Sequence, residues 1–229
     1  EATAMSNNAS VRGTSSVAGV TGGLAAWLIG AKDIEGTTQT GATNQNVYRG
    51  TGGADGGWNT ATSVVDAATP GTAEALSETN LRNCIEAIYK KGGEVSAAMM
   101  TPACKRLISQ FLFSSSARVA TIVNDTPSGA AENRQAQGSV DLYITDFGSI
   151  KLIPNRLMPE FGDADESMLF LLDPSMLAMS YLQGYRTEPQ AKTGLSDVRQ
   201  MSVDWGLCVK NTDGLGGVAD IDETAAMVA

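Results

Sequence analysis

At 229 residues, 42% of them hydrophobic, the chain can bury a sizeable core as one large domain or two small ones, and its formal net charge of -9 argues against tight phosphate binding, which draws affinity from Lys and Arg. The absence of histidine removes Ser-His-Asp and Cys-His catalysis and the ordinary catalytic zinc site. No apolar run nears the ~20 residues that span a bilayer, so no membrane segment is expected, and Glu1 in place of methionine points to a processed chain or a fragment.

Residues 1–20 are small and polar, and Gly22-Gly23 then introduces the short apolar segment Leu24-Ala25-Ala26-Trp27-Leu28-Ile29, which must dock somewhere. From Gly36 to Thr60 the chain is rich in Gly, Thr and Asn, with Gly50, Gly52, Gly53, Gly56 and Gly57 crowded around Asp55. Ordering glycine costs the most backbone entropy, so this stretch is expected to be a loop or a surface-hugging arm. A helix is predicted over 77–91. Ser77 suits the N-cap, Leu76 and Leu81 flank the first turn, and Leu81, Cys84, Ile85, Ile88 and Tyr89 make one face. Lys90 and Lys91 complement the dipole of the last turn, and Gly92-Gly93 can take a left-handed cap. A strand at 95–100 leads into Thr101-Pro102, which opens a second helix with Cys104, Leu107, Ile108 and Phe111 facing inward. Residues 114–138 read as a loop.

Val140, Leu142 and Ile144 alternate with Asp141, Tyr143 and Thr145 and are expected to line the buried face of a strand. Asp146-Phe147-Gly148 turns the chain into 150–154 as a hairpin. The apolar run Met168–Leu172, closed by Asp173-Pro174, predicts a buried central strand, with 176–182 pairing beside it. Met201, Val203, Trp205, Leu207 and Val209 alternate with Ser202, Asp204, Gly206, Cys208 and Lys210, a strand of roughly 30 Å at ~3.3 Å per residue. Burying that apolar face is expected to be worth on the order of 10 kcal/mol, so that an Asp at Trp205 would abolish folding. Gly214 to Gly217 is expected to end the strand and leave a loose tail. This succession indicates an α+β fold.

The remaining chemical signals are weak. Gly50 to Gly57 has no Gly-Lys-Ser/Thr and no strand-to-helix frame, so it is not a phosphate loop. Asp163, Asp165 and Glu166 lack the spacing of a calcium loop and read as a solvated turn. Cys84, Cys104 and Cys208 match neither a metal knuckle nor a disulfide scaffold, and reduced thiols are expected. Cys84 and Cys104 fall on core faces, Cys208 on the polar face of its strand, and Met168, Met176 and Met179 read as core filler. No acid, base and nucleophile come together, so no enzyme and no cofactor are expected.

From Ser77 onward the order of motifs resembles the major capsid proteins of tailed bacteriophages, and most closely their SU10-type branch. The motifs include Ala75-Leu76-Ser77, Ala87-Ile88-Tyr89 before the doubled glycine, Thr101-Pro102-Ala103, Val140 through Gly148, Leu152-Ile153-Pro154-Asn155-Arg156 and Leu172-Asp173-Pro174. Tyr181-Leu182, Thr187 through Gly194 and Arg199-Gln200 complete them, and Gly22 to Leu28 resembles the family's upstream segment, whereas residues 36–70 match poorly. The resemblance implies the capsid fold shared by tailed phages and herpesviruses, with part of the N-terminal region lying outside this chain. The implied organisation is an end of the extended loop and peripheral segment at 1–35, a Gly/Thr-rich loop at 36–70, an axial domain at 71–182 with a central sheet flanked by helices, a peripheral strand region at 183–213 and a flexible tail at 214–229.

On this resemblance the chain would be a structural virion protein, assembled in the host bacterial cytoplasm into hexamers and pentamers of an icosahedral shell around double-stranded DNA. Its partners would be other copies of itself, with scaffold, portal and decoration proteins, and DNA only by loose contact. Glu188, Lys192 and Arg199 in the polar turn, and Gly52 and Gly53 in the Gly-rich segment, are the candidate subunit contacts. Composition alone equally suits a tail-tube, decoration or neck protein, and the Asp and Glu content permits a secreted hydrolase or carbohydrate-binding module.

Overall fold

The computed structural model describes residues 2–28, 46–53, 56–114, 140–159, 161–162, 165–191 and 194–228. The predicted loop beyond Ser114, and Ile29, Asp55, Asp163 and Lys192, lie outside the described residues. The described elements run α1 (Ala2–Met5), α2 (Leu24–Leu28), β1 (Val47–Tyr48), β2 (Gly57–Asn59), β3 (Val64–Asp66), α3 (Glu78–Lys90), β4 (Ala97–Met100) and α4 (Pro102–Ser114). They continue with β5 (Leu142–Thr145), β6 (Gly148–Pro154), β7 (Glu166–Leu172), β8 (Leu177–Pro189), β9 (Arg199–Val209) and β10 (Gly216–Asp222). The fold is mixed α+β, built on a six-stranded sheet in the order β1-β10-β7-β4-β6-β5.

The local signals place the helices as expected. Ser77 Oγ accepts from the Asn80 N–H at 3.5 Å, and Gly92 takes φ +87° while the Gly93 N–H closes on Ile88 O at 3.0 Å. Thr101 Oγ1 accepts from the Cys104 N–H at 3.2 Å and so caps α4, whose first residue is Pro102. α3 packs on β10 and β1, and α4 on β6.

β7 is the hub. Its continuous apolar run feeds both faces of the sheet: Leu169 and Leu171 join the core under the helices with Leu81, Ile85, Ile88, Met100 and Ile108. Met168, Phe170 and Leu172 join a second core with Met5, Leu24, Leu28 and Phe161. The Gly22–Leu28 segment thus docks on the opposite face of the sheet, and Trp27 stacks on Trp58 with ring centroids 6.0 Å apart.

Several expectations are overturned. The tail predicted at 214–229 is instead β10, antiparallel to β7 and parallel to β1, with Gly216 through Ile221 buried. Beyond it, the Val228 N–H bonds Leu76 O, and Val228 O accepts from the Glu78 N–H, each at 2.9 Å. The glycines that read as a strand end are there for close packing, since a Cβ on Gly216 would sit 2.2 Å from Asn46 O and one on Gly217 2.1 Å from Leu169 O. The stretch expected as a loop within 36–70 contributes β1 to the central sheet and the β2–β3 hairpin. Residues 177–182 do not lie beside β7, whose neighbours are β10 and β4; β8 pairs with β9 as a separate two-stranded ribbon.

Polarity at β5 is also inverted. Leu142 and Ile144, expected inside, are 52% and 76% exposed, while Tyr143 packs against the core and its hydroxyl donates to Glu78 Oε1 at 3.2 Å. An edge strand has a neighbour on one side only, and the second core does not extend over its outer face. Met179 is likewise half exposed and not core filler.

Candidate assembly surface

β8, at 13 residues, would span ~40 Å at about 3.3 Å per residue, and the β8–β9 ribbon is tied to the rest of the chain at one end. There Leu177, Leu207 and Val209 are half-buried against the second core, and the Leu207 N–H donates to Thr21 Oγ1 at 3.1 Å. Lys210 adds a backbone N–H to Met176 O at 2.9 Å and an Nζ bond to Ser175 O at 3.0 Å. From this anchor outward the ribbon is mostly exposed.

Alternation still sorts the two faces. Pairing of Met179 with Leu207, Tyr181 with Trp205 and Thr187 with Met201 lines up an apolar face, while Cys208, Gly206, Asp204, Ser202 and Gln200 hold the other. The sequence pattern along β9 was therefore correct, but its buried interpretation was not. Met201 is 67% exposed and Trp205 only half-buried, so the expected 10 kcal/mol of burial is not realised among the described residues. Register slips between Tyr181 and Gln183 and between Gln183 and Arg186 add residues to β8, twisting the ribbon and turning out Leu182 and Tyr185. These side chains escaped the sequence reading because the bulges break period two. A two-stranded ribbon is marginal in water, and an apolar strip of this length marks an interaction surface.

The candidate contacts fall in two places. Glu188 pairs in register with Gln200, and Arg199 with Pro189, at the free end of the ribbon, where Gln190 Nε2 donates to Gln200 Oε1 at 2.9 Å. Arg186 pairs with Glu188, and Arg199 approaches Asp197 at 3.9 Å; all four groups are solvated. Lys192 lies outside the described residues. Gly52 is an exposed turn residue at φ +89° with open space around it. Gly53 is packed on its own chain, where a Cβ would be 2.5 Å from Thr69 O, so close approach and not mobility accounts for it.

An open groove of about 820 Å³ runs between the ribbon and the segment at 11–21, lined by Val11, Val20, Thr21, Val203, Asp204 and Trp205. Among the described residues lining it, Asp204 is the one ionisable group. No group of acidic or thiol side chains among the described residues could hold a metal ion. Burial pushes the Cys84 and Cys104 thiols up to about 12, which leaves them as inert core atoms, whereas Cys208 is exposed on the ribbon. No helix among the described residues is long and apolar enough to cross a membrane.

A family model described as SU10 major capsid protein matches residues 1–222. Among solved structures, the holo-SrpI encapsulin complex from Synechococcus elongatus PCC 7942 is similar over 66% of this chain at 13% identity and a TM-score of 0.39. The match takes in 52% of the encapsulin chain, about half its length. No curated protein sequence matches.

Proposed function

This chain belongs to the SU10 major capsid protein family, and on that premise we propose that it tiles with copies of itself into an icosahedral head around double-stranded phage DNA. It is a structural, shell-forming virion component and not an enzyme. The observation that carries the reading is the ribbon, an apolar strip whose outer half finds no cover among the described residues. A shell supplies such cover through repeating heterologous contacts, and many modest contacts per subunit add up.

In this reading the central sheet with α3 and α4 is the axial domain, gathered around the symmetry axes of hexamers and pentamers, and the ribbon is the peripheral one. Glu188, Lys192 and Arg199 at the ribbon's free end, with the Gly52-Gly53 turn, meet neighbouring subunits. The net charge of -9 suits a wall along which packaged DNA slides without sticking. Assembly takes place in the bacterial cytoplasm, with scaffold, portal and decoration proteins as further partners.

Electron microscopy and size-exclusion chromatography of the expressed protein test the proposal. Closed shells, or hexameric and pentameric capsomers, are expected. A protein that stays monomeric under all assembly conditions would sink it, and rings or tubes in place of shells would favour a tail-tube or neck role.

A further inference from the structure

Next to the edge strand β1 of the central sheet, β10 carries a bulge with a side chain that reaches back to an earlier part of the chain. The β10–β7 register slips between Val218 and Ile221, and within the slip Asp220 adopts φ +54°, a left-handed conformation that Asp tolerates better than most residues. The residue is 1% exposed. Its Oδ2 accepts from the Gly50 N–H at 3.0 Å and its carboxylate also from the Gly71 N–H, while Oδ1 has no hydrogen-bond partner among the described residues.

The surroundings are built for this approach. A Cβ on Gly71 would lie 2.9 Å from Asp220 Oδ2 and 2.6 Å from Gly50 O, and a Cβ on Gly50 only 1.8 Å from Thr72 O. The Thr72 N–H bonds Thr51 O at 2.8 Å, and the Glu74 N–H bonds Asp220 O at 2.8 Å. Three segments therefore converge on one carboxylate: the strand end after β1, the extended chain around Gly71, and β10. Beyond this clamp, the described pairing of β1 with β10 covers two residues, Val47 with Gly217 and Tyr48 with Val218, and Asn46 Nδ2 donates to Asp213 O at 2.7 Å and to Leu215 O at 3.2 Å.

We propose that Asp220 is a proton-operated latch, which holds the segments around Gly50 and Gly71 on the sheet edge most firmly when it carries a proton and loosens them when it is ionised. A buried carboxylate in direct hydrogen bonds to two backbone amides is a charge removed from water, and its unpartnered oxygen leaves that charge incompletely solvated. Burial raises the Asp220 pKa; the N–H groups of Gly71 and Gly50 and the nearby Arg49 work against burial, and Glu166 on β7 works with it. Glu74, whose N–H bonds Asp220 O, has its carboxylate engaged by the Tyr48 hydroxyl at 2.9 Å.

The direction follows from linkage. With the latch open, Asp220 meets water and titrates near its ordinary value of 3.8; with the latch closed it holds its proton to higher pH. Protons thus favour the closed form, and opening grows as pH rises from the ordinary carboxylate range to the raised value. It levels off once Asp220 is ionised in both forms. The latch is a property of the single chain and stands whether or not the shell reading does.

The test is amide hydrogen exchange on the intact chain, corrected for intrinsic pH dependence, together with the carboxyl ¹³C titration of Asp220. The Asp220 signal is expected to titrate above the ordinary range, and the opening of the Gly50 and Gly71 amides to rise by up to about tenfold per pH unit across that window. Amides of β7 such as Leu171 should not follow, and Asp220→Asn should flatten the profile. A carboxyl that titrates at or below the ordinary value overturns the proposal, as does pH-independent opening at Gly50 and Gly71 or an unchanged slope in Asp220→Asn. Should that variant fail to fold, the two wild-type measurements decide the matter alone.

Discussion

A single methyl group separates a tolerable position from an impossible one along β10. The Cβ of Gly217→Ala would overlap Leu169 O, a backbone atom in the middle of the sheet, and neither strand can yield without disturbing the pairing on its other side. The substitution is expected to cost at least about 3 kcal/mol, the upper end of the usual overpacking range, and to lower the midpoint of thermal unfolding by roughly 6–12 °C. Calorimetry of the variant checks this; an unchanged midpoint would mean that β10 is not inserted as described. The same close approach explains why this strand was not legible in the sequence. Gly214, Gly216 and Gly217 carry the ordinary signal of a chain break, and only the backbone of β7 and Asn46 beside them gives the last two their reason.

At the level of elements, what could be read depended on whether a signal was local. Helix α3 was legible from Ser77, Leu81 and Gly92 because capping, staple and terminator act within a few residues of one another. The β5–β6 hairpin and the central position of β7 were legible for the same reason, from a turn and a continuous apolar run. Which face of β5 is covered, and which partner β8 takes, depend on elements distant in sequence, and period two cannot distinguish an apolar face turned to the core from one turned outward. Trp205 gives the difference a measurable form. Half-buried on the ribbon, it can be replaced by Asp with the central sheet intact, so a cooperative transition near that of the parent is expected in urea unfolding. Phe170→Ala should instead lose about 3–5 kcal/mol, because Phe170 is 2% exposed within the second core. Equal damage from both changes would count against a ribbon that stands apart from the sheet.

For the whole molecule, folding and the proposed assembly are expected to be separable. The ribbon's outer half contributes little to the core, so the double variant Glu188→Lys, Arg199→Glu should unfold like the parent in urea while shells or capsomers seen by electron microscopy are depleted. Normal shells from this variant would remove the free end of the ribbon from the list of contacts. The position of β10 between β1 and β7 has one more consequence, for timing during synthesis. Until residues 216–222 have left the ribosome, the sheet has an empty slot, and the two core layers cannot close around Val218, Ala219 and Ile221. A nascent chain with its ribbon already made is therefore still unfinished, and a folded body carries that ribbon only after β10 has been added.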